Sequence, residues 1–234
     1  MIVDLQSMPL NQIIIAVGGL GTAAFGLVET AKPVFGGINR IGLEHIQEVV
    51  AALTPEESSA SSPANALAQA DILKTVEANW VNGADVANQR AIAKSLIKLH
   101  LSADNALAVA LKASVDAALL SAVAAKMANG TPLSQEESDV YARFDMIVTA
   151  LLDEAYQISD QDYRNWTRLL ASGAAVLLAV AGGWEMAGTS TFWHSSDPFL
   201  ALLVGLLATP LAPIAKDLST ALATAVNVLQ LVKK

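Results

Sequence analysis

Leu169-Leu170-Ala171-Ser172-Gly173-Ala174-Ala175-Val176-Leu177-Leu178-Ala179-Val180-Ala181-Gly182-Gly183 carries no charge, and Trp166 and Trp184 bracket it. At about 1.5 Å rise per residue the two indoles stand about 27 Å apart along a helix, close to one hydrocarbon thickness. Indoles favour both lipid–water interfaces, so the stretch predicts a transmembrane helix over 166–187 with Trp166 and Trp184 at its two surfaces.

Working outward, a second charge-free run begins at Pro198 and ends at Ala215, just before Lys216-Asp217. It predicts a further span over 198–215, joined to the first by a loop over 188–197 that holds Trp193 as a third interfacial aromatic. Pro210 and Pro213 each remove an amide donor near the end of this span, which predicts a kink or a partly unwound last turn that could act as a hinge. Toward the other end of the chain, residues 5–28 are uncharged. They predict a span over 11–31 after a tail over 1–10. The early charge is Asp4 rather than a basic cluster, which favours a retained helix over a cleaved signal peptide. Small residues recur here at four-residue spacing, Gly18-Thr22-Gly26 and Gly19-Ala23, a pattern that lets another helix approach closely in lipid. Packing within the chain and pairing with a second copy are both consistent with it.

The basic residues set an expected orientation. All 14 Lys and Arg fall within 32–168 or 216–234, and the 188–197 loop has none. Cationic flanks stay on the cytoplasmic side. The sequence therefore places the chain's beginning and the 188–197 loop outside, and residues 32–165 and the C-terminus inside. The high Ala, Leu and Val content suggests a bacterial chain, hence a cytoplasmic (inner) membrane.

Residues 32–165 read as a helical domain inserted between the first two spans. Ala103–Ala128 is apolar, but Lys112 and Asp116 near its middle argue for a helix buried in a bundle rather than a fourth span. Helix punctuation is plentiful: Thr54-Pro55-Glu56-Glu57 and Ser62-Pro63 as starts, Asn82-Gly83 and Asn129-Gly130 as ends, Ser134-Gln135-Glu136-Glu137 and Ser159-Asp160-Gln161-Asp162 as further starts. No stretch alternates as a strand would. The expected class is an all-α integral membrane protein with three spans and a cytoplasmic helical bundle.

After Lys216 the segment 216–234 reads as an amphipathic helix, with Leu218, Leu222, Ala225, Leu229 and Val232 at spacings of four and three. This short coiled-coil seam could line a multimer axis, pack on the chain itself, or lie along the bilayer with Lys233 and Lys234 at lipid phosphates. Together with the small-residue ladder of the first span, it makes a homo-oligomer the expected state.

Composition narrows the functions. Hydrophobic residues make up 53% and charged residues 15%, against about a quarter charged in soluble domains, and the mean hydropathy is positive. With no Cys there is no disulfide, thiolate nucleophile or soft metal site. Residues 29–168 hold eleven basic and eighteen acidic residues, which would repel nucleic acid. Glu44-His45 and Glu48 lack the second histidine of a zinc hydrolase, and His194 with Asp197 is at most a weak metal or proton-sensing pair. No catalytic, cofactor or metal residues are assigned, and an enzyme is not expected. Ionisable groups deep in a span, the mark of ion transport, are missing from the three runs. The expected function is an oligomeric membrane scaffold or adaptor that recruits a cytoplasmic protein partner. The rival is a homo-oligomeric channel, since weakly polar helices can conduct through a hydrophobic constriction; whether Thr22, Ser172 and Thr209 face a common axis discriminates the two.

Overall fold

The computed structural model describes residues 9–32, 36–56 and 68–232; the side chains at 189–190 and 225–232 are not part of the description. Every regular element among these residues is helical, and three helices are long and apolar enough to cross a membrane. In order they are α1 (Leu10–Ala31), α2 (Leu43–Leu53), α3 (Gln69–Val81), α4 (Val86–His100), α5 (Ala106–Ala113), α6 (Ala117–Asn129), α7 (Gln135–Ala187), α8 (Thr189–Phe192) and α9 (Asp197–Val232), with a single 3-10 turn at Ile38–Arg40. The chain divides into two compact units, Asn39–Tyr163 and the pair Met1–Ile38 with Arg164–Lys234.

The Asn39–Tyr163 unit is a helical bundle around one apolar core. Ile46, Val50 and Leu53 of α2, Ile72 and Val76 of α3, Ala93 and Ile97 of α4, and Phe144, Val148, Leu152 and Tyr156 of α7 meet there. Several expected punctuation marks sit where the sequence put them. Gly83 and Gly130 follow α3 and α6 at φ +65° and +66°, backbone that favours glycine. Ser134 and Glu137 form the reciprocal capping box at the start of α7: the Glu137 N–H donates to Ser134 Oγ at 3.3 Å, and the Ser134 N–H donates to Glu137 Oε2 at 2.6 Å.

Other marks mean something different. Thr54 closes α2 rather than opening a helix: its hydroxyl donates to the Val50 carbonyl at 2.8 Å, and Gln69 Nε2 donates to the Ala51 and Thr54 carbonyls. Glu57 and the Ser62-Pro63 start lie outside the described residues. The apolar run expected as one helix over 103–128 is two, because Ser114 turns left-handed at φ +50° and Asp116 then caps α6 through the Leu119 N–H at 2.8 Å. Lys112 and Asp116 therefore share no helical face. Ser159 starts nothing; it is buried inside the uninterrupted 53 residues of α7. Likewise α9 runs from Asp197 through Lys216 to Val232, so the expected division at 215 is not a break in the helix.

In the second unit, α1, residues 164–187 of α7 and α9 pack together. Ala24, Ala175 and Ala208 form the centre, with Val17, Leu20, Ala174 and Leu178 against them. The sense of packing is fixed by glycines. Gly18 faces Leu211 and Ala215, whereas Gly21, one turn later, faces Ala208, so α1 runs antiparallel to α9. The charge count requires the opposite, because a chain whose beginning lies outside and whose end lies inside has α1 parallel to α9.

Candidate association surface

One side of α9 is a spine of small residues at spacings of four and three: Ala201, Gly205, Ala208, Ala212 and Ala215, all buried. Small side chains let helix backbones approach until van der Waals contact is made along their length, which is the main source of helix association where no hydrophobic effect operates. Two helices use this spine. On α7, the Val176 backbone comes so near Gly205 that a Cβ there would stand 2.4 Å from Val176 Cα. On α1, a Cβ on Gly21 would stand 2.1 Å from the Ala208 carbonyl oxygen, and one on Gly18 would stand 2.2 Å from Ala215 Cβ. Gly21 and Gly205 are thus sites where only hydrogen fits.

The residues expected to mediate association separate into two groups. Gly18 is buried on α9, together with Gly21, Ala24 and Val28. Gly19, Thr22, Ala23 and Gly26 are exposed on α1, with open space around Gly19 and Gly26. Within the chain the four-residue ladder is therefore not the packing face. The working face of α1 advances by three, three and four residues. The four-three spacing of Ala and Gly that makes the α9 spine is present in the sequence, within the same run that holds Pro210 and Pro213.

Hydroxyls in the spans are satisfied inside the chain. Ser172 and Thr209 hydrogen-bond to each other across α7 and α9 at 2.9 Å, and the Thr22 hydroxyl donates to the Gly18 carbonyl at 3.0 Å on its own helix. Pro210 and Pro213 lie within α9, which continues through both. Each removes the amide that would otherwise bond the carbonyl four residues earlier. Beyond them Leu218 is half-buried and Leu222 exposed, while the Leu229 side chain lies outside the description.

At the other end of the spans, Phe192 is fully buried, with its ring edge against Gly183, and stacks edge-on with Trp193 at 5.2 Å. Trp193 in turn meets Trp184 at 6.4 Å. Two of the three expected interfacial tryptophans thus form one aromatic cluster. Trp166 is half exposed at the other end of its run. His194 follows the cluster on an exposed turn, and Asp197 begins α9.

On the bundle, α4 and α7 face each other through paired charges. Arg90 bonds Asp153, and Lys94 and Lys98 flank Asp145 at 2.6 and 2.5 Å. Burial works against the charge of Asp145, but the two ammonium groups outweigh it and hold its carboxyl below the usual range. Lys98 is also partly desolvated, yet hydrogen bonding and charge interaction with Asp145 and Tyr141 raise its pKa; its ammonium also lies 5.0 Å from the Tyr141 ring centre. A groove of about 310 Å³ runs beside these pairs, lined by Ala87, Arg90, Ala91, Lys94, Thr149, Leu152 and Asp153. Its cations already have partners, so it offers no free charge to an anion. His45 is 3.0 Å from Asp162, and His100 bonds the Pro55 carbonyl. Among the described residues no group of three His, Asp or Glu could hold a metal ion. Comparison with protein-family models, with curated proteins and with solved structures finds no match to this chain.

Proposed function

We propose that this chain is a helical membrane scaffold, anchored by its apolar helices and recruiting a protein partner through the acidic bundle. The observation that carries the reading is the Ser172–Thr209 hydrogen bond. A channel lined by its span hydroxyls would turn them toward a common axis. Here two of the three candidates are turned toward each other, and the third bonds its own helix. The outward faces are those of an anchor: Leu169, Leu177, Leu200, Leu206 and Leu207 are exposed, as lipid contact would require.

Arg164, Arg168 and Lys216 assign one end of the α7–α9 hairpin to the cytoplasmic side, and residues 188–197 to the outer side, of a bacterial inner membrane. The bundle precedes Arg164 and so belongs on the cytoplasmic side. Its excess of carboxylates suits a partner with a basic surface and opposes nucleic acid. Multimers form through the exposed face of α1 and the end of α9. The test is twofold. Purified protein in planar bilayers should show no single-channel steps, and light scattering in detergent should show more than one copy per particle. Reproducible conductance would replace the scaffold with the channel, and a strict monomer would remove the oligomer.

A further inference from the structure

The packing sense of α1 has a consequence for insertion. Gly18 faces Leu211 and Ala215, and Gly21 faces Ala208; Ser172 pairs with Thr209, and Val176 faces Gly205. Both α1 and residues 164–187 of α7 therefore run opposite to α9, and so run in the same sense as each other. Two helices that cross a bilayer in the same sense need one more crossing between them. The described residues of 32–163 supply none. Their longest apolar helix outside the three candidate spans, Ala117–Asn129, has 13 residues, about 20 Å, and its Lys126 is ion-paired with Glu137. The stretches 33–35 and 57–67 hold 3 and 11 residues in the sequence, against the roughly 20 that a helical crossing takes.

We propose that α1 is held here in a docked pose on α9, and that to span a bilayer it leaves this pose and re-enters in the opposite sense. This rests on the membrane reading above. The charges favour the reversed pose: it brings Lys32 to the side of Arg164, Arg168 and Lys216, whereas the docked pose puts it with the 188–197 loop. The surface left behind is suited to repacking, because Ala208, Ala212 and Ala215 present only methyl groups and accept a helix in either sense. In the docked register Val28 lies at the level of Ala201; reversed, it lies at the level of Ala215.

A chain without Cys makes the test direct. The double variants V28C/A201C and V28C/A215C report the docked and reversed poses by disulfide formation. The exposed single variants L10C and S219C report sidedness through a membrane-impermeant maleimide. In vesicles that float with the protein, V28C/A215C should cross-link and V28C/A201C should not, and L10C and S219C should label from opposite faces. Cross-linking of V28C/A201C in those vesicles, or labelling of L10C and S219C from the same face, would overturn the proposal. Protein that fails to float would remove the membrane reading itself, and the proposal with it.

Discussion

At Gly42 the backbone stands at φ +84°, and a Cβ there would sit 2.4 Å from the Ser159 carbonyl oxygen. A left-handed non-glycine residue costs about 1–2 kcal/mol, and a forced overlap in a packed region about 1–3 more. Gly42→Ala should therefore destabilise the bundle by about 2–5 kcal/mol, read as a lower urea midpoint for the loss of helical circular dichroism. Tyr156 presents the opposite case. Its ring fills the core beside Trp80, but its buried hydroxyl has no partner among the described residues. Burial pushes its pKa up to about 12, against a small opposing effect of Arg90. Between about pH 10 and 12 the unfolded chain then loses a proton that the folded chain keeps, so stability falls as pH rises, by up to about 3 kcal/mol. Tyr156→Phe should remove that alkaline loss. At pH 7 it should leave stability unchanged or raise it by about 1 kcal/mol, since an unpaired buried polar group is removed. Denaturant titrations of both forms at pH 7 and 11 would check this.

Among the elements, α9 was the least legible. Its apolar length and its prolines stand out in sequence, but the alternation of Ala and Gly that positions α1 and α7 lies within a run where every residue but Thr209 is apolar. Periodicity is weak where there is no polar face to contrast with it. The same uniformity hid the break between α5 and α6. Ala103–Ala128 has no Gly or Pro, and the turn is made by Ser114 and capped by Asp116, two residues that a continuous helix also tolerates. The glycine ends of α3 and α6 and the capping box of α7 were readable because each depends on a residue type that has few other uses. The α7–α9 contact also yields a test on the element scale. Interhelical hydrogen bonds in membranes are worth about 0.6 kcal/mol on average. A double-mutant cycle of Ser172→Ala and Thr209→Val should return a coupling of about that size in a detergent unfolding titration; a coupling near zero would mean that the hydroxyls do not hold the hairpin.

For the molecule as a whole, charge is confined in a way that gives the two units different responses to pH. The ion pairs with shifted carboxylates lie in Asn39–Tyr163. Burial disfavours the Asp145 charge, but Lys94 and Lys98 lower its pKa overall, and the Lys126 ammonium and the Ser134 amide lower that of Glu137. Both groups bind fewer protons folded than unfolded near the ordinary carboxylate pKa values of about 4. Their contribution is thus complete above that range and is lost as pH falls through their lower folded values. Lys98 has the reverse sign: its pKa is raised, so its contribution is complete below about 10.4 and is lost above the folded value. The apolar helices α1 and α9 and residues 169–184 of α7 are joined by alanine, glycine and hydroxyl contacts, none of which titrates in this range. Acidification toward pH 3 in detergent should therefore loosen the bundle first. Hydrogen exchange should accelerate in α4 and at the start of α7 while the amides of residues 171–180 and 201–209 stay protected. Simultaneous exposure of both regions would show that the spans depend on the bundle's ion pairs. Loss of order in the bundle would then precede any loss of packing among the apolar helices.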